Sequence, residues 1–239
     1  MDQNRAAVIG FAEGDLRATG GLQNSIIQGD CAAVLKTLPD ASVDFVLTDP
    51  PYFVRYKDRS GRTVRNDGYP AGRILDAFND VNRVLKPNSL CVSFYGWNRV
   101  DAFFAAWKGA GFTPVGHIVF HKRYVSSQRF LRYSHESAYV LAKGRPELPV
   151  DPLSDVLPWH YSGNRSHPTE KAVATITPII EAFTRPGDVV LDPFGGSGST
   201  LVAAALLRRR YIGIELEQKY CELTRRRLAG VTRYLAPAA

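Results

Sequence analysis

The sequence predicts an α/β protein built on a doubly wound, mostly parallel sheet, and three observations carry that expectation. Short apolar runs rich in β-branched residues alternate with stretches of helical spacing along most of the 239 residues. One run, Val189-Val190-Leu191, passes through Asp192-Pro193 into a glycine-rich turn, Gly195-Gly196-Ser197-Gly198, and then into the helical LVAAALLRRR. A further strand, YIGIELE, follows and ends on Glu215 and Glu217. With a strand, a glycine turn, a helix and an acidic strand end, an open α/β sheet holds a nucleotide-like ligand beyond the carboxyl ends of its strands.

Each element can be justified in turn. Residues 1–23 are mixed and dotted with glycine, a lead-in to a single domain over 24–239. IIQGD (26–30) is a short strand ending in an acid, and CAAVLKTL has helical spacing, so Asp30 suits an N-cap. VDFVLTDPPYF (43–53) is a strand leading into Asp49-Pro50-Pro51-Tyr52, which by itself is also what a strand-ending turn looks like. RYKDRSGRTVR (55–65) has no apolar period and is a loop. Its Arg55, Lys57, Arg59, Arg62 and Arg65 either face solvent or reach phosphates.

ILDAFNDVNRVLK (74–86) is an amphipathic helix stopped by Pro87, and SLCVSFYG is a strand. VDAFFAAWKGAG is a helix closed by glycine, followed by the strand FTPVGHIVFHK. From His121 to Tyr133, Lys122, Arg123, Arg129 and Arg132 interleave with Tyr124, Phe130 and Tyr133, a mixture suited to phosphates and unstacked bases. SHESAYVLAKG alternates as a return strand, and 145–167 is a proline-rich, irregular connector. KAVATITPIIEAF is a helix before the strand at 189, and the arginine runs 208–210 and 225–227 read as solvated helix faces.

The turn at 195–200 narrows the ligand. It lacks the G-x-G-x-x-G of a dinucleotide site, and no lysine precedes its Ser199-Thr200 as a P-loop requires. Ser199 or Thr200 is positioned to cap the following helix, and Glu215 to accept hydrogen bonds from ribose hydroxyls. An adenosine ligand without a pyrophosphate fits these features. Composition agrees with a soluble globular protein: 45% hydrophobic, 22% charged and a net charge of +7, which favours a polyanionic partner. The three cysteines, Cys31, Cys91 and Cys221, have no paired spacing, so neither a disulfide framework nor a zinc site is expected, in keeping with a reducing cytoplasm. Apolar runs stay short of the roughly 18 residues of a membrane span, and the N-terminus has no signal-peptide core.

Asp192–Thr200, DPFGGSGST, resembles the S-adenosylmethionine motif of the amino DNA methyltransferases, and Asp49–Tyr52, DPPY, resembles their catalytic motif. HPTEK at 167–171 is similar to the segment that precedes the cofactor strand in that family. The catalytic motif comes first, the order of the family's β group, and the likeness runs from about Ile26 to Arg227. It implies a seven-stranded, Rossmann-like methyltransferase sheet with one antiparallel strand, S-adenosylmethionine as cofactor and double-stranded DNA as partner. It further implies that Asp192, Phe194, Gly195, Gly196, Gly198, Ser199, Thr200 and Glu215 surround the cofactor. Thr169, Glu170 and Lys171 carry over as contacts at its methionine end, and Asp30 as a residue near cofactor and base. Many relatives have proline after that lysine, where this chain has Ala172. His167 is either a general base or, more in keeping with its place, a structural cap.

The resemblance also implies the chemistry at 49–52. The exocyclic amine of adenine or cytosine is a poor nucleophile, because its lone pair is delocalised into the ring. The Asp49 carboxylate and the Pro50 carbonyl can each accept one N–H and aim that lone pair, while Tyr52 stacks on the flipped base. Methylation of cytosine C5 is excluded, since it uses a cysteine after a proline and none of the three here follows one. Aspartate rather than serine at position 49 leans towards adenine N6 over cytosine N4. Small insertions near 55–70 and 121–165 imply a short recognition site. An RNA or protein amide methyltransferase, or a silent DNA-binding relative, are the alternatives, and a homodimer is a state common in the group.

Overall fold

A computed structural model describes residues 22–54, 61, 63, 67, 72–163 and 167–235. The first half of the described chain runs β1 (Ser25–Gln28), α1 (Cys31–Leu35), β2 (Val43–Thr48), α2 (Gly72–Val84), β3 (Leu85–Phe94), a short 3-10 turn (Trp97–Arg99), α3 (Val100–Gly109) and β4 (Thr113–His121). A two-stranded hairpin follows, β5 (Ser127–Gln128) with β6 (Arg132–Tyr133), then β7 (His135–Lys143) and β8 (Val156–Pro158). Last come α4 (Val173–Phe183), β9 (Val189–Asp192), α5 (Ser199–Leu206), β10 (Arg210–Glu215) and α6 (Gln218–Leu235).

The main sheet is ordered β1-β10-β9-β2-β3-β7-β4-β8. Only β7 runs against its neighbours, as its pairing with β3 and β4 shows. The expected mostly parallel sheet with one antiparallel strand is therefore present, but with eight strands instead of seven. The extra strand is β8, which forms on the free edge of β4 inside the stretch read as an irregular connector. Leu157 is buried there, and Pro158 ends the strand at the sheet's edge, where a missing N–H does little harm.

Strand alternation sends side chains to two cores. Val46, Val189, Leu191, Ile212 and Ile214 join Leu35, Phe78, Phe103 and Trp107 from α1, α2 and α3 on one face. Phe45, Leu47 and Val190 join Ile176, Ile179, Ile180, Ala203 and Ala204 from α4 and α5 on the other. Burial of each of the valines, leucines, isoleucines and phenylalanines among them stabilises the fold by roughly 1.5–3 kcal/mol, and burial on both faces is why the central strands read as continuous apolar runs.

Several local boundaries differ from the sequence expectation. α2 ends at Val84 and β3 begins at once, so Pro87 lies within the strand instead of stopping the helix. The Lys143 ammonium of β7 donates to the carbonyls of Asn82 and Leu85, each at 2.6 Å, and satisfies the helix end from a distant strand. Leu22 is buried, so the core begins within the stretch read as a lead-in. The run 208–210 is not helical: Arg210 opens β10, and Arg209 is buried with its guanidinium on the Thr184 hydroxyl and carbonyl and the Leu207 carbonyl.

Candidate active site

Asp49, Asp192 and Glu215 stand at the carboxyl ends of β2, β9 and β10, three consecutive strands in the centre of the sheet. Beyond them opens a cleft at the carboxyl edge of the sheet, where open α/β folds place their ligands. Its lining includes Asp49, Thr169, Glu170, Lys171, Asp192, Phe194, Gly195, Gly196, Ser199 and Thr200, so most residues expected to act on a cofactor are brought together. Tyr52, Gly198 and Glu215 support that lining from just behind it.

The glycine turn is built by its backbone. Gly195 N–H donates to the Ile214 carbonyl at 2.8 Å, and Gly198 N–H to the Gly195 carbonyl at 2.8 Å. Glu215 accepts the Gly196 N–H at 2.8 Å with one oxygen and the Glu217 N–H at 2.7 Å with the other. Each carboxylate oxygen keeps a second lone-pair site, so Glu215 braces the turn and retains capacity for a ligand hydroxyl. Gly198, not Ser199 or Thr200, occupies the N-cap position of α5, with φ +79°. Ser199 and Thr200 instead begin the helix, and the Thr200 hydroxyl bonds the Asp192 carboxylate.

Asp192 is the most perturbed acid of the site. Burial pushes its carboxyl up to about 7, with smaller contributions from the charges of Asp49 and Glu215, against hydrogen bonds from Thr200 and the Phe194 N–H. Glu215 is raised by burial as well. An acid whose folded pKa lies above its unfolded value stabilises the fold while protonated and loses that contribution as pH rises from about 4 to 7. The Asp192→Asn variant keeps a carbonyl for the Phe194 N–H but does not titrate. Relative to wild type its unfolding free energy is expected to rise by roughly 2–4 kcal/mol between pH 4 and 8, read by urea denaturation across that range. A flat difference would place the Asp192 titration elsewhere.

At the 49–52 turn the Tyr52 hydroxyl donates to Asp49 Oδ1 at 2.5 Å, and the Lys171 ammonium pairs with Asp49 Oδ2. Burial, then the Asp49 charge, raises the Tyr52 phenol well above its ordinary range, so it stays a neutral donor. Lys171 is buried over three rings: Phe94 at 4.6 Å, Tyr52 at 5.8 Å and Trp159 at 5.8 Å. His167 accepts the Thr169 N–H on Nδ1 at 3.2 Å and packs edge-on to Tyr220 at 4.5 Å, the cap reading of the sequence. Asp30 caps α1 through the Ala32 and Ala33 N–H groups and does not line the cleft.

Two basic residues differ from their expected places. Lys122 is buried with its ammonium 2.6 Å from Glu136 and 5.0 Å from the Trp159 ring, so its charge is neutralised internally instead of meeting a phosphate. Arg227 is not a solvated face: it donates to the Ser197 carbonyl at 2.6 Å and pairs with Glu170 at 3.1 Å, tying HPTEK to the glycine turn. Arg123, Arg129 and Arg132 are exposed as expected, and Arg55, Lys57, Arg59, Arg62 and Arg65 lie outside the described residues. The only sequence signal for Arg227 was its helical spacing from Thr224 and Val231, which marks a face partly turned inward.

A glycine turn and an acid after each of three central strands define the class: an α/β protein of the nucleotide-cofactor type. More specifically, the chain belongs to the DNA methylase family, whose family model matches residues 43–226. A protein of Escherichia coli K12 designated a methylase, YubD, is 57% identical over 213 residues, spanning 89% of this chain and 93% of that one. The type II methyltransferase M.HinfI of Haemophilus influenzae is 26% identical over 244 residues, 86% of this chain and 68% of its own. Among solved structures, M1.HpyAVI in complex with SAM aligns with a TM-score of 0.68 at 24% identity, over 85% of this chain and 98% of that one. The cytosine-N4-specific PvuII DNA methyltransferase aligns with a TM-score of 0.69 at 18% identity, over 88% and 90%. These structures share the fold.

Proposed function

We propose that this protein transfers a methyl group from S-adenosylmethionine to the N6 amino group of adenine within a short site in double-stranded DNA. One observation carries the reading: the Asp49 carboxylate opens onto the same cleft whose floor is the glycine turn. The residues fit the cofactor. Gly195 and Gly196 line the cleft with bare backbone, Gly196 at φ +50°, so a flat ligand can approach closely. Glu215 takes the ribose hydroxyls, and Thr169 and Lys171 the methionine end.

When bound, S-adenosylmethionine supplies an electrophilic methyl group on its sulfonium. The chain's own part is to aim the acceptor. Asp49 and the Pro50 carbonyl each accept one N–H of the target amine, holding the nitrogen lone pair towards the methyl group and accelerating transfer by positioning and fixed dipoles. Tyr52 and Lys171 hold the carboxylate's orientation, and each Asp49 oxygen retains a lone-pair site for the amine. Aspartate at position 49 favours adenine; cytosine N4 is the second reading, supported by the shared fold of the PvuII enzyme and the same geometry. The three cysteines are unpaired, two of them buried, which supports work in a reducing cytoplasm.

The test is radiolabelled methyl transfer to unmethylated duplex DNA, followed by digestion to nucleosides. Label in N6-methyl-2′-deoxyadenosine is the expected result. Label in N4-methyl-2′-deoxycytidine would retain the mechanism and change the base; label confined to RNA or protein would overturn the DNA reading.

A further inference from the structure

The hairpin β5–β6 leaves the sheet after β4 and returns into β7. β4 is antiparallel to β7, which is antiparallel to β3, and β3 is parallel to β2. β4 therefore points the same way as β2, and the hairpin rises from the sheet edge that carries Asp49. At its tip Phe130 is 100% exposed and Leu131 67%. A lone exposed leucine is unremarkable, but a fully exposed phenylalanine beside it contributes nothing to folding. Exposed Arg129 and Arg132 bracket the pair, so an apolar point sits within a positive collar.

The tip is held firmly. Arg129 N–H donates to the Leu131 carbonyl at 3.1 Å, and Ser126 N–H to the Tyr133 carbonyl at 2.8 Å. Trp97, from the loop after β3, stacks on Tyr133 with ring centroids 6.0 Å apart. The root is anchored by the pair between buried Lys122 and half-buried Glu136, and Lys122 and Lys171 lie over the same Trp159 ring. The hairpin thus stands beside the catalytic ion pair, not remote from it.

We propose that Phe130 and Leu131 form a wedge that enters the base stack of duplex DNA next to the target nucleotide, with Arg129 and Arg132 holding the flanking phosphates. This rests on the DNA methylase reading. Charge complementarity selects a polyanion, and an apolar tip within a basic collar matches a partner that is apolar between its base planes and anionic along its edge. Filling the gap left by an extruded base offsets the stacking lost when the base leaves the helix.

The experiment compares wild type with the Phe130→Ala/Leu131→Ala double variant on native and heat-denatured unmethylated DNA, with thermal melting confirming the fold. A single strand has no stack to open. Duplex methylation is expected to fall by about tenfold or more while methylation of denatured DNA stays within about twofold. Rates that are unchanged, or that fall together on both substrates, overturn the wedge. No label from the wild type on either substrate overturns the methylase reading itself. A binding measurement keeps the two apart should wild type act on duplex alone: it is expected to prefer a duplex with a central abasic gap, and the double variant to lose that preference. Neutralising Arg129 and Arg132 should weaken both duplexes alike and reduce the salt slope by about one per residue. A wild type without preference for the gapped duplex would refute the proposal.

Discussion

Replacing Asp49 by alanine is expected to lower methyl transfer by about 10³-fold or more, as removal of a preorganised group aimed at the reacting atoms does. Cofactor affinity should change little, because the glycine turn and Glu215 stay in place. The variant should also reveal the second role of the pair. Lys171 is 8% exposed and would lose its anion, while the Asp49 side chain is 23% exposed. Breaking a fully buried pair costs about 3–5 kcal/mol; with the cleft open to water on the Asp49 side, and three rings still beneath the ammonium, about 1–2 kcal/mol is the expected loss. Adding Lys171→Met should restore stability without restoring activity. Urea denaturation and labelled methyl transfer read the two effects separately. Activity near wild type in Asp49→Ala would remove the carboxylate from the mechanism.

Gly198→Ala is expected to produce the largest stability change of any single-methyl addition in the site. Gly198 has φ +79°, a region that costs a side-chain-bearing residue roughly 1–2 kcal/mol. A Cβ there would stand 2.4 Å from Thr224 Cγ2 and 2.5 Å from Thr224 Oγ1. Thr224 is fully buried on α6 and has no room to retreat, so overpacking adds about 1–3 kcal/mol. Together a loss of roughly 2–5 kcal/mol is expected, with weakened cofactor binding because α5 and α6 part at the glycine turn. The double variant Gly198→Ala/Thr224→Ser removes the methyl Cγ2 and should recover part of the loss. If it recovers none, the strain lies in the backbone alone.

Much of the fold was legible because its signals are local. The apolar runs of β2 and β9, the glycines of 195–198 and the acids that end β9 and β10 each declare themselves within a few residues. The misjudged positions share a different cause. Lys122 reads as a free cation until β7 brings Glu136 beside it, and Arg227 reads as solvated until α6 packs against the turn. β8 was hidden because three residues with a terminal proline carry almost no strand signal of their own. The end of α2 was misplaced because its cap is Lys143, which belongs to a strand far along the chain.

By itself, then, the amino-acid sequence determined the class of fold, the glycine turn, and the residue types placed at the strand ends. Backbone conformation and hydrophobic period are near-neighbour properties, set by φ, by side-chain branching and by spacing. Only the tertiary structure decided which charges are spent internally and which remain to meet a partner. The Lys171–Asp49 pair joins residues 122 positions apart. Ionic partnership depends on distance and burial after folding, and these arise only when remote elements pack together.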